Sequence, residues 1–343
     1  VDKKDNLIFS DKGHFRIRKI TPDGIINTIG GNGLRGNVGD NIPALEANFY
    51  NVTTIVQNPK GDMFMASPSG FVSLIRRFDS KGIIHDFIDT ANPKYREAIS
   101  NSKYKGLVQK GAVATITQFS DIVFDPNGNL FTSDRLNHQI RKIDTEGNVS
   151  TIAGTGDSDH YGDNGPALEA AFRDPNALAS DSEGNIYIAD TANNLIRKID
   201  TNGIVTTFAG NGEHSDSGDG GPALKASIRS MDDIEFNPAG ELHILGTNTH
   251  KVRKITKDGK IMTVAGKGYA GFFGDGGSAT KAMLKNPAAI SFDSKGNMYI
   301  ADMGNNRIRK VDDQGVITTF AGTGSFGWGR TGETVEIYLQ NFP

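Results

Sequence analysis

Ile188–Ile228 reads IADTANNLIRKIDTNGIVTTFAGNGEHSDSGDGGPALKASI: two short apolar alternations, two glycine turns and a glycine–aspartate loop. Either that loop cradles a phosphate or metal, or it spaces copies of one structural unit. Copies are found. The core returns as FRIRKI around Arg18, SLIRRF around Arg76, HQIRKI around Arg141, NLIRKI around Arg197, HKVRKI around Arg253 and NRIRKV around Arg309. Successive arginines are 58, 65, 56, 56 and 56 residues apart. Flanking motifs keep pace, with GNLFTSD, GNIYIAD and GNMYIAD before the core and GNVSTIAGTG, GIVTTFAGNG and GVITTFAGTG after it. Residues 1–343 are therefore one tandem-repeat domain with no internal boundary.

Within a repeat the period is two. NALASD, NIYIAD, LIRKID and IVTTFAG are β-branched or aromatic runs separated by SEGN, TANN and TNG, which are tight-turn sequences. Four antiparallel strands per unit follow. Six such sheets hide both faces only by packing on one another around an axis, so the expected class is all-β, a six-bladed β-propeller. After each fourth strand, GPALEAAF, GPALKASI or GSATKAML predicts short helical turns in the inter-blade loops.

GNIYIADTANNLIRKIDTNGIVTTFAGNG and GDGGPALKA resemble the NHL repeat in its bacterial and teneurin-like form, and the likeness extends over essentially every blade. It implies the propeller fold. Proteins that resemble this family include adhesive and ligand-binding ectodomains, RNA- or protein-binding modules and a few lyases and lactonases, so the site has to be argued from residues.

Composition narrows the classes. A net charge of −3 argues against a nucleic-acid partner, and no run of about eighteen apolar residues predicts a membrane-spanning helix. The absence of cysteine excludes disulfides, thiolate zinc sites and thiol catalysis. The chain begins at Val1, and part of a longer polypeptide is expected. GDGG around Asp219 and Asp275, GDNG around Asp163 and GDNI around Asp40 recur too often and lack the lysine of a phosphate cradle; each aspartate is read as a cap on the short helix that follows. FDPNGN and FDSKGN have a calcium-loop composition without the terminal carboxylate, and fit hairpin turns.

Asp11, Asp134, Asp190 and Asp302 stand seven residues before Arg18, Arg141, Arg197 and Arg309, so ion pairs across the hairpin are expected. Ser67 and Gly246 replace the aspartate before Arg76 and Arg253, which must find other partners or face a ligand; Asp232 and Asp233 are candidate partners of Arg253. The inter-blade loops carry His160 and Tyr161, His214, then Tyr269, Phe272 and Phe273, and finally Phe326, Trp328 and Arg330. Tyr161, Tyr269, Phe272, Phe273, Trp328, Arg330, Arg76 and Arg253 form the expected ligand-binding set, for a protein partner or a glycan. Lys94, Arg96, Lys103, Lys105 and Lys110 replace the glycine loop after the second blade and suit an acidic partner.

Catalysis is less well supplied. Asp121, Asn176, Asp232, Asp233 and Glu235 are the polar groups on first strands, and no histidine joins them. No cofactor is expected, although a weakly held cation at the channel mouth stays open. The favoured function is a non-enzymatic binding or scaffold module, extracellular or at the cell surface; the alternative is a metal-dependent lyase or lactonase. Finally, Val1 and Asp2 align with Phe292 and Asp293, and IYLQNFP with AMLKNP, which predicts that both chain ends meet in one blade.

Overall fold

The computed structural model describes residues 1–69, 72–89, 119–144 and 148–325. Six antiparallel sheets succeed one another along the chain, each built on a meander of three or four strands in sequence order, and three of them add a two-residue strand from the preceding loop beside the last strand. Blade 1 is Leu7–Asp11, Arg16–Ile20 and Ile26–Gly30, and blade 2 is Thr54–Gln57, Met63–Ser69, Val72–Phe78 and Ile83–Asp89. Blade 3 is Phe119–Phe124, Leu130–Asp134, Gln139–Ile143 and Val149–Ala153; blade 4 is Pro175–Ser180, Ile186–Asp190, Leu195–Ile199 and Ile204–Ala209. Blade 5 is Asp233–Phe236, Leu242–Gly246, Lys251–Ile255 and Ile261–Ala265, and blade 6 is Ala289–Phe292, Met298–Asp302, Arg307–Val311 and Val316–Ala321.

The core is a set of interfaces between blades. Ala177, Ala179 and Tyr187 of blade 4 pack on Ile234, Leu242 and Ile244 of blade 5, with Phe208 and Phe236 each 4.9 Å from the Tyr187 ring in edge-on geometry. Such aromatic pairs add about 0.5–1.5 kcal/mol beyond their buried area. The sixth blade meets the first in the same manner: Leu7, Ile20 and Ile26 pack on Tyr299, Ile308 and Ala321. Asp5 also accepts bonds from the Ser294 N–H and hydroxyl at 2.8 and 2.7 Å. Asp2 and Asn6 form the turn that Asp293 and Asn297 form in blade 6, as the alignment of Asp2 with Asp293 requires. The C-terminal segment of the expected shared blade lies outside the described residues.

Turn chemistry follows the repeat. In FDPNGN and FDSKGN, Asp125 and Asp293 bind the backbone and amide of Asn129 and Asn297, so these segments are hairpin turns. His138, Asn194, His250 and Asn306 occupy one left-handed position between second and third strands, with φ of 54, 55, 54 and 51°. The two histidines are turn substitutions.

The inter-blade loops correct one expectation. The helical turns are single 3-10 turns, Ala44–Glu46, Ala167–Glu169, Ala223–Lys225 and Ala279–Lys281, preceded by Pro43, Pro166, Pro222 and Ser278 with no side-chain cap. The loop aspartates do something else. Asp163 accepts from Nε and a terminal nitrogen of Arg197 at 3.1 and 2.8 Å and from Thr207 Oγ1 at 2.5 Å. Asp219 takes Arg253 Nε at 2.9 Å and the Thr263 N–H at 3.0 Å, and Asp275 takes Arg309 at 3.0 and 2.6 Å and Thr319 Oγ1 at 2.6 Å. Each aspartate is the counter-ion of a buried arginine on the third strand of the following blade. The glycine before it is equally constrained: Gly162 has φ +95°, and a Cβ there would lie 2.6 Å from Ala170 Cα. Ahead of the turn, Ile42–Pro43, Gly165–Pro166 and Gly277–Ser278 pair with the outermost strand of the following blade, covering part of an otherwise open edge.

Candidate functional site

The arginines divide as the sequence suggested, with one correction. Arg18, Arg141 and Arg309 reach Asp11, Asp134 and Asp302 at 3.4, 3.0 and 3.2 Å across the hairpin, while Arg197 and Asp190 stand 3.6 Å apart. Arg76 and Arg253, offered as ligand contacts, are buried and satisfied. Arg76 bonds Asp86 at 2.9 Å, the carbonyl of Asn48 at 3.1 Å and that of Gly39. Arg253 bonds Asp219, Asp216 and the carbonyls of Ser217 and Ser227. Its partners are therefore the loop aspartates rather than Asp232 or Asp233. Neither guanidinium presents a free donor face to a ligand.

The channel carboxylates are also employed structurally. Asp121 accepts from Thr54 Oγ1 of blade 2 at 2.9 Å and from the Leu178 N–H of blade 4 at 2.8 Å. Asp233 repeats the second bond, taking the Ile290 N–H of blade 6 at 2.7 Å. These carboxylates staple inner strands together. Burial pushes Asp121 up to about 6 and Glu235 to about 7, the Asp121 charge adding to the latter, and holds Asp233 well above the usual carboxylate range. Asp232 binds Ser230 Oγ and the Thr247 N–H, and the carbonyl of Asn176 takes Ser133 Oγ. Among the described residues no three His, Cys, Asp or Glu side chains come together as metal ligands.

The loop face holds the exposed aromatic groups. Tyr269 is 66% exposed and Phe273 65%. Phe272, on the same loop, lies under Arg307 at 3.8 Å and Arg309 at 4.9 Å, so its ring is held from one side. The backbone beneath is fixed, because the Phe273 carbonyl takes the Met283 N–H at 3.1 Å. Tyr161 hangs from Asp157 by a 2.6 Å bond in a different loop, next to exposed His160. Trp328, Arg330, Phe326 and the basic segment with Lys94, Arg96, Lys103, Lys105 and Lys110 lie outside the described residues. Beside Gly268 a cleft of about 400 Å³ opens among His214, Ser215, Asp216, Arg229, Asn248, Thr249 and Lys251. Of these, the sequence had singled out His214 alone; the replacement at Gly246 was the available signal.

A family model, the teneurin NHL domain, matches residues 155–218 and 268–331. The chain is 28% identical to Teneurin-m of Drosophila melanogaster in an alignment of 257 residues that covers 67% of this chain and 9% of that protein. Among solved structures, an auxiliary nutrient binding protein from Bacteroides ovatus has a TM-score of 0.61 at 15% identity, covering 96% of this chain and 76% of that one. Virginiamycin B lyase from Staphylococcus aureus has a TM-score of 0.51 at 16% identity, covering 93% and 81%. At these identities the structural likeness is one of fold.

Proposed function

Because the chain is an NHL-repeat β-propeller, we propose that it is a non-enzymatic binding module holding a protein or glycan partner on the loop face of blades 5 and 6. One observation carries this reading: Tyr269 and Phe273 expose about two thirds of their surface on a backbone held by hydrogen bonds. Large rings on a prepared backbone lose little entropy on binding, which is what interface anchors require. The stapling role of Asp121 and Asp233 weighs against the lyase or lactonase alternative, since both carboxylates are engaged by inter-strand donors. An extracellular or cell-surface setting follows from the teneurin resemblance and belongs to the same proposal.

The test compares the propeller with a Tyr269→Ala/Phe273→Ala variant in a glycan array and in pull-downs. Affinity for captured ligands should fall by about 1–3 kcal/mol per ring while the melting temperature stays within a degree or two. Ligands retained at full affinity by the variant would refute the reading.

A further inference from the structure

Four inter-blade loops fall within the described residues, and three of them are tied down in the same way. A parallel bridge joins Arg35 to Phe49, Ser158 to Phe172 and Ala270 to Leu284. In two of these loops a second tie reaches the turn between second and third strands. Asn193 Nδ2 donates to the Asp159 carbonyl at 2.8 Å and Asn305 Nδ2 to the Gly271 carbonyl at 2.7 Å, each asparagine also bonding Asp190 or Asp302.

The loop before blade 5 has neither tie. His214 and Ile228 correspond to Ala270 and Leu284 but form no bridge. Gly246 stands for the aspartate and Thr249 for the asparagine, and the Thr249 hydroxyl turns back to the Gly246 carbonyl at 3.2 Å. A side chain at position 246 alone is excluded, because its Cβ would lie 2.1 Å from Thr249 Oγ1. Ser215 and Thr249, the counterparts of the Gly271 and Asn305 that bond in the next repeat, line the 400 Å³ cleft together with His214. The cleft is a consequence of the local break in the repeat, and its size is that of a small-molecule site, roughly 300–1,000 Å³.

Its lining is polar throughout. The exposed Arg229 side chain makes no hydrogen bond or ion pair among the described residues. Lys251 bonds Asp216 at 2.9 Å and Arg253 is shared between Asp216 at 3.1 Å and Asp219 at 2.7 Å, so these two cations and two carboxylates balance and the uncompensated charge of the cleft is that of Arg229. Asn194 Nδ2 donates to the Gly212 carbonyl at 3.2 Å, which leaves its Oδ1 as acceptor for His214 Nδ1 at 3.2 Å. His214 Nε2 is then available to a ligand, as are the exposed Ser215 and Asn248. No apolar side chain contributes to the wall.

We propose that this cleft binds a carboxylated sugar, a uronic or sialic acid unit, with Arg229 on the carboxylate and Lys251, Asn248, Ser215 and His214 on hydroxyl groups. The uncompensated Arg229 selects an anion, and the several neutral donors and acceptors beside it match the hydroxyl groups of a sugar ring. An acidic peptide side chain would use the cations and leave the neutral groups idle. The inference deepens the loop-face reading and rests on it.

Calorimetric titration of the full chain with sialyllactose against lactose, glucuronate against glucose, and an Asp/Glu-rich peptide tests it. The acidic sugars should bind at least tenfold tighter than their neutral counterparts and than the peptide, and more weakly as salt is raised. Arg229→Gln should lose tenfold or more and Arg229→Lys much less, with melting temperatures unchanged because Arg229 has no structural partner. Ser215→Trp should abolish binding by filling the cleft. Equal affinity for neutral sugars, preference for the peptide, or indifference to Arg229→Gln overturns the proposal. If those results coincide with partner capture that still depends on Tyr269 and Phe273, the cleft assignment alone fails and the loop-face reading stands.

Discussion

Replacing Asp163 by alanine removes three hydrogen bonds, two from Arg197 at 3.1 and 2.8 Å and one from Thr207 at 2.5 Å. Breaking a buried ion pair from one side costs about 3–5 kcal/mol when the other charge is left alone. Here the cost is reduced twice. Asp163 has a side chain 38% exposed, so water already screens part of the attraction, and Asp190 remains 3.6 Å from the guanidinium. The expected loss is about 2–3 kcal/mol, read as a lowered urea midpoint with an unchanged slope. Asp163→Ser separates the two explanations of this residue. Serine is as good a helix cap as aspartate but carries no charge for Arg197, so the ion-pair account predicts that Ser is nearly as damaging as Ala. A serine variant restored to within about 0.5 kcal/mol of the parent would refute the ion-pair account and reinstate capping.

Other outcomes follow from the same geometry. Gly162→Ala should cost about 2–4 kcal/mol, because φ of +95° is joined to a 2.6 Å approach to Ala170, whereas Gly203→Ala, at φ +78° with open space around it, should cost only about 1 kcal/mol; comparable losses would show that crowding plays no part. Asp121, raised to about 6 by burial, binds its proton more tightly folded than unfolded, so its contribution is present at low pH and lost as pH rises from about 4 through 6. Buried His243, pushed down to about 4, acts in the opposite sense over part of that range, so the quantity to measure is the stability difference between the parent and Asp121→Asn. Between pH 5 and pH 8 that difference should move against the parent by about 1 kcal/mol or more, and a flat difference would mean that Asp121 titrates normally.

The ring was legible because its signal is redundant: six copies of one arginine core and period-two runs at matching offsets point to the same sheet architecture. The turn positions were legible too, since His138 and His250 fall where Asn194 and Asn306 supply the left-handed residue. The loop aspartates were misread because local reasoning looks three residues ahead for a cap, whereas the partner is 34 residues on, in the next blade. That constant offset, from Asp163 to Arg197, Asp219 to Arg253 and Asp275 to Arg309, was present in the sequence. Arg76 and Arg253 looked available for the same reason: a missing neighbour in sequence says nothing about the carbonyls and carboxylates that folding brings. The cleft depends on two ties that are absent at once, and only the Gly246 half was visible as a substitution.

The counter-ion of blade 4 rides on the loop that leaves blade 3, and the loop leaving blade 5 likewise serves blade 6. The unit that copies itself along this chain is therefore out of phase with the unit seen as a blade: a complete one begins in the loop and ends at the fourth strand. Excising residues strand to strand would cost each buried arginine its loop counter-ion, while a cut made ahead of the Gly–Asp pair would carry charge and counter-charge together. For shuffling or lengthening this ring, the natural joints lie near Gly154, Gly210 and Gly266, at the start of each loop, rather than at the edge of any sheet.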